Sequence, residues 1–257
     1  MKLRTGATIF IILALCCLAG PLFISGGDIA PERRLEAPSA SHPMGTDTLG
    51  RDVLLRCLLG GRTSLSIGML TVTISTAASM LLALVCMTGQ LADAAMMRIA
   101  DALKAMPSSL LAIVLSIAFG GGMWSLVAAL SLVNIPQSTR LFRGRLLTLR
   151  PMAFIEAERA IGRRKRDIIL TTIIPHLLPT LALQAAFVFS SSIMAEAGLS
   201  FIGAGLAEGS ASWGAMLSEG RSVIHQGWWL VLFPSIMIFL SVLSLNLIAD
   251  SLRTDVQ

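Results

Sequence analysis

The sequence predicts an all-α polytopic membrane protein with six transmembrane helices, and three observations predict it. Of the 257 residues, 54% are hydrophobic and only 14% charged, against about a quarter charged in soluble domains. Mean hydropathy is +0.78, and the apolar residues fall in runs near the roughly 20 residues that a helix needs to cross a bilayer. The Lys and Arg residues gather between the runs, above all over Arg140–Arg166, as positive-inside topology requires. No repeat or low-complexity tail divides the chain, so residues 1–257 read as one transmembrane domain.

The first helix is expected at about 6–24. The opening "MKLRTGATIFIILALCCLAG" has the basic start and apolar middle of a signal peptide. It lacks a clear small-x-small cleavage site and further spans follow, so it reads as a retained transmembrane helix. A polar external loop follows at about 25–62, then the core helices at about 63–250. The second span is expected at about Leu65–Met87, where Ser and Thr residues suit packing against neighbouring helices. Leu110–Val133 admits one long crossing or two short ones broken at "GGGMW", Gly120–Trp124.

Charge parity decides between them. Arg140, Arg143, Arg145, Arg150, Arg159, Arg163, Arg164, Lys165 and Arg166 form one basic loop, and Lys2 and Arg4 mark the N-terminus. Both stay on the cytoplasmic side only if this segment crosses twice. The third span then starts near Ala105 and the fourth ends near Leu141. The fifth lies at about Leu177–Ala195 and the sixth at about Trp228–Ile248, with a cytoplasmic loop at about 142–176 and both termini cytoplasmic. Arg33, Arg34, Arg51, Arg56, Arg62 and Arg221 fall outside.

This distribution accounts for the net charge of +5 without a nucleic-acid partner; a bilayer is the partner that composition names. Cys16, Cys17, Cys57 and Cys86 form no CxxC pair, and His42, His176 and His225 are scattered. No disulfide framework or metal site is expected. No phosphate-binding Gly-rich loop with its lysine occurs, and no nucleophile–base constellation has supporting context. The chain is therefore expected not to be an enzyme and to bind no cofactor itself.

Two polar stretches stand out. "FIEAERAIGRRKRDIILTTIIPHLLP", Phe154–Pro179, sets Glu156, Arg159, Ala160 and Arg163 at helical spacing. Gly162 breaks that helix, and a second helical run over Asp167–Ile174 is expected to end at Pro175. The alternative is an ordinary amphipathic loop carrying positive-inside charge. "HPMGTDTLGRDV", His42–Val53, faces outward on this topology. Asp47 and Asp52 there suit a turn or a helix N-cap that orients the second span, or the stretch serves docking at the outer face. Intramembrane polar residues usually face a bundle interior or cavity, which makes Asn134, Gln137, Gln184, Ser190, Ser191, Glu196 and Asn246 pathway candidates, with Met194 as a soft contact.

These stretches carry a resemblance. Glu-Ala-x-Arg-Ala-x-Gly over Glu156–Gly162, followed thirteen residues later by Pro175, resembles the "EAA" loop of ATP-binding-cassette importer permeases. Glu156, Ala157 and Gly162 match directly; Glu158 departs, since alanine is usual there. Gly45, Thr46, Asp47, Leu49, Gly50, Arg51 and Asp52 resemble the signature of the C-type subunits of dipeptide, oligopeptide and nickel importers. "MRIADALKAMPSSLLAI", "EAGLSFIGAG", "SWGAMLSEGR" and "LNLIADSLR" agree, so the resemblance covers nearly all of the chain from His42 on.

The resemblance implies a type I importer permease fold in a bacterial inner membrane. It implies a second, usually non-identical permease subunit and an external binding protein that delivers peptide, nickel or a metal chelate. Two cytoplasmic ATPase subunits, which bind ATP and Mg, would couple through Glu156, Ala157, Arg159, Ala160, Gly162 and Pro175. A rival reading is a membrane scaffold that recruits a soluble partner through its basic loop.

Overall fold

The computed structural model of the chain describes residues 2–22, 29–206 and 210–254. Among them lie ten α-helices and a single isolated β-bridge. Helix α1 (Lys2–Ala19) continues as a 3-10 turn to Leu22; Phe23 and Ile24, where the first span was expected to end, lie outside the described residues. Helix α2 (Val53–Cys86) is apolar all round, as helices buried among others or in lipid are. Helix α3 (Gln90–Lys104) is amphipathic and meets α4 (Ser108–Ala118) at a 92° bend beside Pro107. Then come α5 (Gly122–Leu149), α6 (Ala153–Ala160), the short α7 (Lys165–Ile168), α8 (Ile174–Phe201), α9 (Trp213–Arg221) and α10 (Trp229–Thr254).

Helix α2 packs against α1, α5 and α8, and α10 packs against α1, α8 and α9. Small residues permit the close approaches. A Cβ on Gly68 would strike the ring of Phe189, so glycine lets α8 seat against α2, as small residues do in membrane bundles. Phe10 of α1 meets Phe189 edge-on at 5.5 Å, and Cys17 lies against Gly61. These pairings run α1 antiparallel to α2. Gly6 in turn meets Ser244 and Ile248 of α10. The start of α1 and the end of α10 therefore share one end of the bundle with the basic loop, and the His42–Val53 motif and α9 occupy the other.

The chain passes six times between these ends, the third time through the bent pair α3–α4. Four stretches are individually long and apolar enough to cross a membrane: Leu3–Leu22, Val53–Cys86, Lys165–Phe201 and Trp229–Arg253. The bent pair makes a fifth. Helix α4 has 11 residues, about 16 Å of helix, and cannot cross the roughly 30 Å hydrocarbon core alone. Helix α5 is long enough at 28 residues, but Asn134, Pro136 and Gln137 interrupt its apolar run and Arg140, Arg143 and Arg145 follow.

The expected break at Gly120–Trp124 is present: Gly120, Gly121 and Gly122 hold φ of +88°, +74° and +85° between α4 and α5. Three boundaries need correction. The second helix starts at Val53 rather than Leu65, so residues 53–62 are not loop. Asp52 caps it by accepting from Leu55 N at 3.0 Å, and its early arginines have partners inside the fold. Arg62 donates to the carbonyls of Cys17 and Leu18, satisfying the last turn of α1. The fourth pass runs on to Leu149 rather than Leu141, so the basic loop is shorter than 142–176. Pro175 does not end a helix. It lies inside one continuous helical run from Lys165 to Phe201, just after a π-helical turn over Ile169–Ile173 that joins α7 to α8 and widens the backbone ahead of the proline.

Candidate functional site

At the motif end, the polar residues turn inward. Thr46 and Asp47 are fully buried and Asp52 nearly so. Thr46 Oγ1 donates to the Arg33 carbonyl and accepts from Glu36 N at 2.8 Å. One Asp47 carboxylate oxygen accepts from Leu49 N and Arg51 N at 2.8 and 2.9 Å. The other accepts from Arg51 Nε at 2.7 Å and Arg56 Nη1 at 2.8 Å. Arg56 forks onto Glu219 of α9 at 2.5 and 2.9 Å. Asp52 also meets His42 Nδ1 at 2.8 Å.

Gly45 and Gly50 hold φ of +74° and +76°, and a Cβ on Gly50 would strike the Ala30 carbonyl. The motif is thus a closed knot that seats α2 against α9. Its reach to Glu219, over 163 residues of sequence, was missed by sequence reasoning; the only signal was an unpaired Arg56 in an apolar run. What the knot shows outward is Thr48, Leu49 and one edge of Arg51. Together with the Gly120–Gly122 turn and with Glu219 and Arg221 of α9, they line an open cavity of about 660 Å³.

At the basic end, α6 buries Ile155 against Phe142, Leu146, Leu149, Ile168 and Leu177. The helix stops through a two-bond glycine cap. Gly162, at φ +80°, donates to the Arg159 carbonyl at 3.0 Å, and Arg163 N donates to the Glu158 carbonyl at 3.1 Å. The chain turns and re-enters helix at Lys165. Glu156, Ala157, Ala160 and Gly162 are exposed on the outer side of this helix–bend–helix; Arg159, also exposed, lies one turn from Ile155 and lines the cavity beneath the bend, and Pro175 is exposed on the other limb.

Sequence reasoning missed two residues here. Ile161, at the tip, is 77% exposed. Glu158, read only as a departure from the motif, accepts from Thr172 Oγ1 at 2.8 and 3.1 Å and pairs with Arg163 at 3.1 Å, tying α6 to the limb beyond the bend. Phe154 stacks on His176 at 5.0 Å across the same gap. Helix α3 is strapped to α5 by Asp93–Arg143 and Asp101–Arg140.

The intramembrane candidates do not converge. Gln184 donates to Ser138 at 2.8 Å. Glu196, fully buried, accepts from Ser64 at 2.8 Å and Ser200 at 3.0 Å. Asn134 and Ser191 each bond a carbonyl of their own helix, and Gln137 accepts from Lys104 at 3.3 Å. Asn246 lies 3.5 Å from Ser190, and Met194 is 60% exposed. Gln184 and Glu196 join helices to one another; Gln137, Met194 and Asn246 lie on the open surface of this chain.

Residues 75–256 match the family described as binding-protein-dependent transport system inner membrane component. The chain is 36% identical over 252 residues to a putative peptide transport system permease protein of Brucella suis, covering 97% of this chain and 85% of that one. It is 35% identical over 254 residues to the probable D,D-dipeptide transport system permease protein DdpC of Escherichia coli, with the same coverage. It is 33% identical over 258 residues to the di/tripeptide transport system permease protein DppC of Pseudomonas aeruginosa, covering 96% and 85%. Among solved structures, an inward-facing MetNI methionine ABC transporter chain aligns with a TM-score of 0.59 at 18% identity, over 78% of this chain and 97% of that one; this likeness concerns the fold.

Proposed function

The chain belongs to the family of binding-protein-dependent transport system inner membrane components, and on that footing we propose that it is the permease subunit of an ATP-driven peptide importer. The basic end faces the cytoplasm and the motif end faces outward, as the positive-inside rule favours. ATP hydrolysis belongs to two partner ATPase subunits, and a second permease completes the pathway. Relatives described as peptide and dipeptide permeases favour di- and oligopeptides over nickel or a metal chelate as cargo.

The observation that carries the reading is the exposed bend at Gly162. A short helix with Ile155 buried behind it presents Glu156, Ala157, Ala160 and Ile161 to a partner. Glu158 and Phe154 fasten it to the base of α8. A push on α6 is thereby passed to a spanning helix, which is what energetic coupling between two sites requires. The cavity beside Leu49 and Arg51 is where we place docking of the binding protein. Nothing in this arrangement favours a passive scaffold, which needs no fastened helix and no outer knot.

The test is uptake of a labelled dipeptide, and of radioactive nickel with and without a chelator, in cells lacking the chain and in cells restored with it. Loss of dipeptide uptake alone, recovered on restoration, is the expected result. Loss of nickel uptake alone would reassign the cargo, and no loss of either would count against peptide import.

A further inference from the structure

We propose that the basic end holds a site for an anionic phospholipid, under the bend between α5, α6 and α7. A cavity of about 370 Å³ opens there, with Arg150, Arg159 and Lys165 around it and Leu84, Met87 and Ile169 among its apolar walls. That is the volume of about a dozen waters, room for a phosphate and several methylenes.

The charges decide what fits. Three neighbouring cations are paired, Arg140 with Asp101, Arg143 with Asp93 and Arg163 with Glu158, while Arg145, Arg164 and Arg166 have no ion-pair partner among the described residues and do not line the cavity. Among the described residues, no carboxylate pairs with Arg150, Arg159 or Lys165, and these are the three that ring the cavity. A free inorganic anion has no use for an apolar floor, and an uncharged lipid has none for three cations. An anionic headgroup with its acyl chains uses both. The floor also leads outward, since Val85, Leu147 and Leu170, each one residue from a wall residue, are 43%, 40% and 50% exposed. Basic pockets among the ends of membrane helices take such headgroups.

That this end meets the cytoplasmic leaflet rests on the proposed function. Binding itself is read without transport, so the two fail separately.

The experiment is native mass spectrometry of the purified chain in detergent, titrated with phosphatidylglycerol, phosphatidylcholine or glycerol 3-phosphate. Wild type is expected to retain phosphatidylglycerol in preference to the other two. Arg150→Gln/Lys165→Gln is expected to weaken that binding about 30-fold, the equivalent of about 1 kcal/mol for each cation removed near the surface. Arg164→Gln/Arg166→Gln removes the same charge from the same loop without touching the cavity, and is expected to bind as wild type. Should the first double variant not fold, Arg150→Gln alone, on the exposed turn after α5, carries the test with about a fivefold loss.

Four results would overturn the site: equal retention of phosphatidylcholine, equal losses in both double variants, no loss in Arg150→Gln/Lys165→Gln, or glycerol 3-phosphate binding as tightly as the lipid. Release of the lipid on adding the ATPase subunits would assign the three cations to an acidic protein segment instead.

Discussion

Thr172 donates its hydroxyl to both carboxylate oxygens of Glu158, at 2.8 and 3.1 Å, across the bend at Gly162. Helix α6 and the π turn that leads into α8 are thereby held at a fixed angle, with Arg163 closing the third side. A hydrogen bond to a charged group contributes about 1.5–3 kcal/mol; this one is part-buried, with Thr172 buried and the Glu158 side chain 22% exposed. Glu158→Ala is expected to leave the chain inserted and folded while dipeptide uptake falls severalfold. Glu158→Gln, which still accepts from Thr172, is expected to restore most of it. Uptake measured beside the amount of chain in the membrane fraction checks both.

Gly162→Asp addresses the bend itself. A Cβ at Gly162 meets nothing within 4 Å, but φ is +80°, a region that costs an L-residue about 1–2 kcal/mol. No clash arises inside the chain, so added bulk and charge act on whatever faces the bend. Uptake is expected to be lost with the protein still in the membrane. Gly162→Asn, which tolerates a left-handed backbone better, is expected to keep more uptake than Asp. Normal uptake with Asp would sink the coupling role.

Asp47→Ala tests the outer knot. It leaves Arg56 buried with only Glu219 and strips two backbone donors, Leu49 N and Arg51 N, of their acceptor. Breaking a buried ion pair from one side costs about 3–5 kcal/mol. The purified variant is expected to unfold at a clearly lower temperature than wild type in the same detergent, and to accumulate poorly.

Leu49→Asp separates docking from scaffolding. Leu49 is 42% exposed on the rim of the outer cavity, and its side chain has no part in the knot. Thermal stability is expected to stay within about 0.5 kcal/mol of wild type, as for exposed positions generally, while retention of the binding protein on the assembled transporter falls. A variant that binds its partner normally would move the docking surface elsewhere.

Much of this architecture is legible in particular residues. Gly120–Gly122 announced the break between α4 and α5, Asp52 the cap of α2, and Gly162 the end of α6. Each does its work through its own backbone or its nearest neighbours, and local sequence records that. The start of α2 was misread because Arg56 and Arg62 look like loop charges until Glu219 and the Cys17 and Leu18 carbonyls arrive from distant segments. Pro175 was misread as a stop because only a wider π turn before it lets the helix continue. Glu158 was read only as a departure from the motif because its partner, Thr172, lies on the far side of the bend. Among the candidate site residues, those of α6 and its bend are exposed together, and Pro175 is exposed on the other limb. The intramembrane set is divided between buried contacts that join helices, as at Gln184 and Glu196, and exposed positions such as Gln137, Met194 and Asn246.

Helix α2 has one further consequence. Its 34 residues make a rod of about 51 Å, pinned at its first turn into the outer knot and carrying Ala83 among the residues that support α6. Pivoted about the knot by about 10°, such a rod swings its far tip through about 9 Å. A small rocking at the knot is thus magnified at the basic end, and the same arithmetic run backwards turns a large stroke at the basic end into a fine adjustment at the knot.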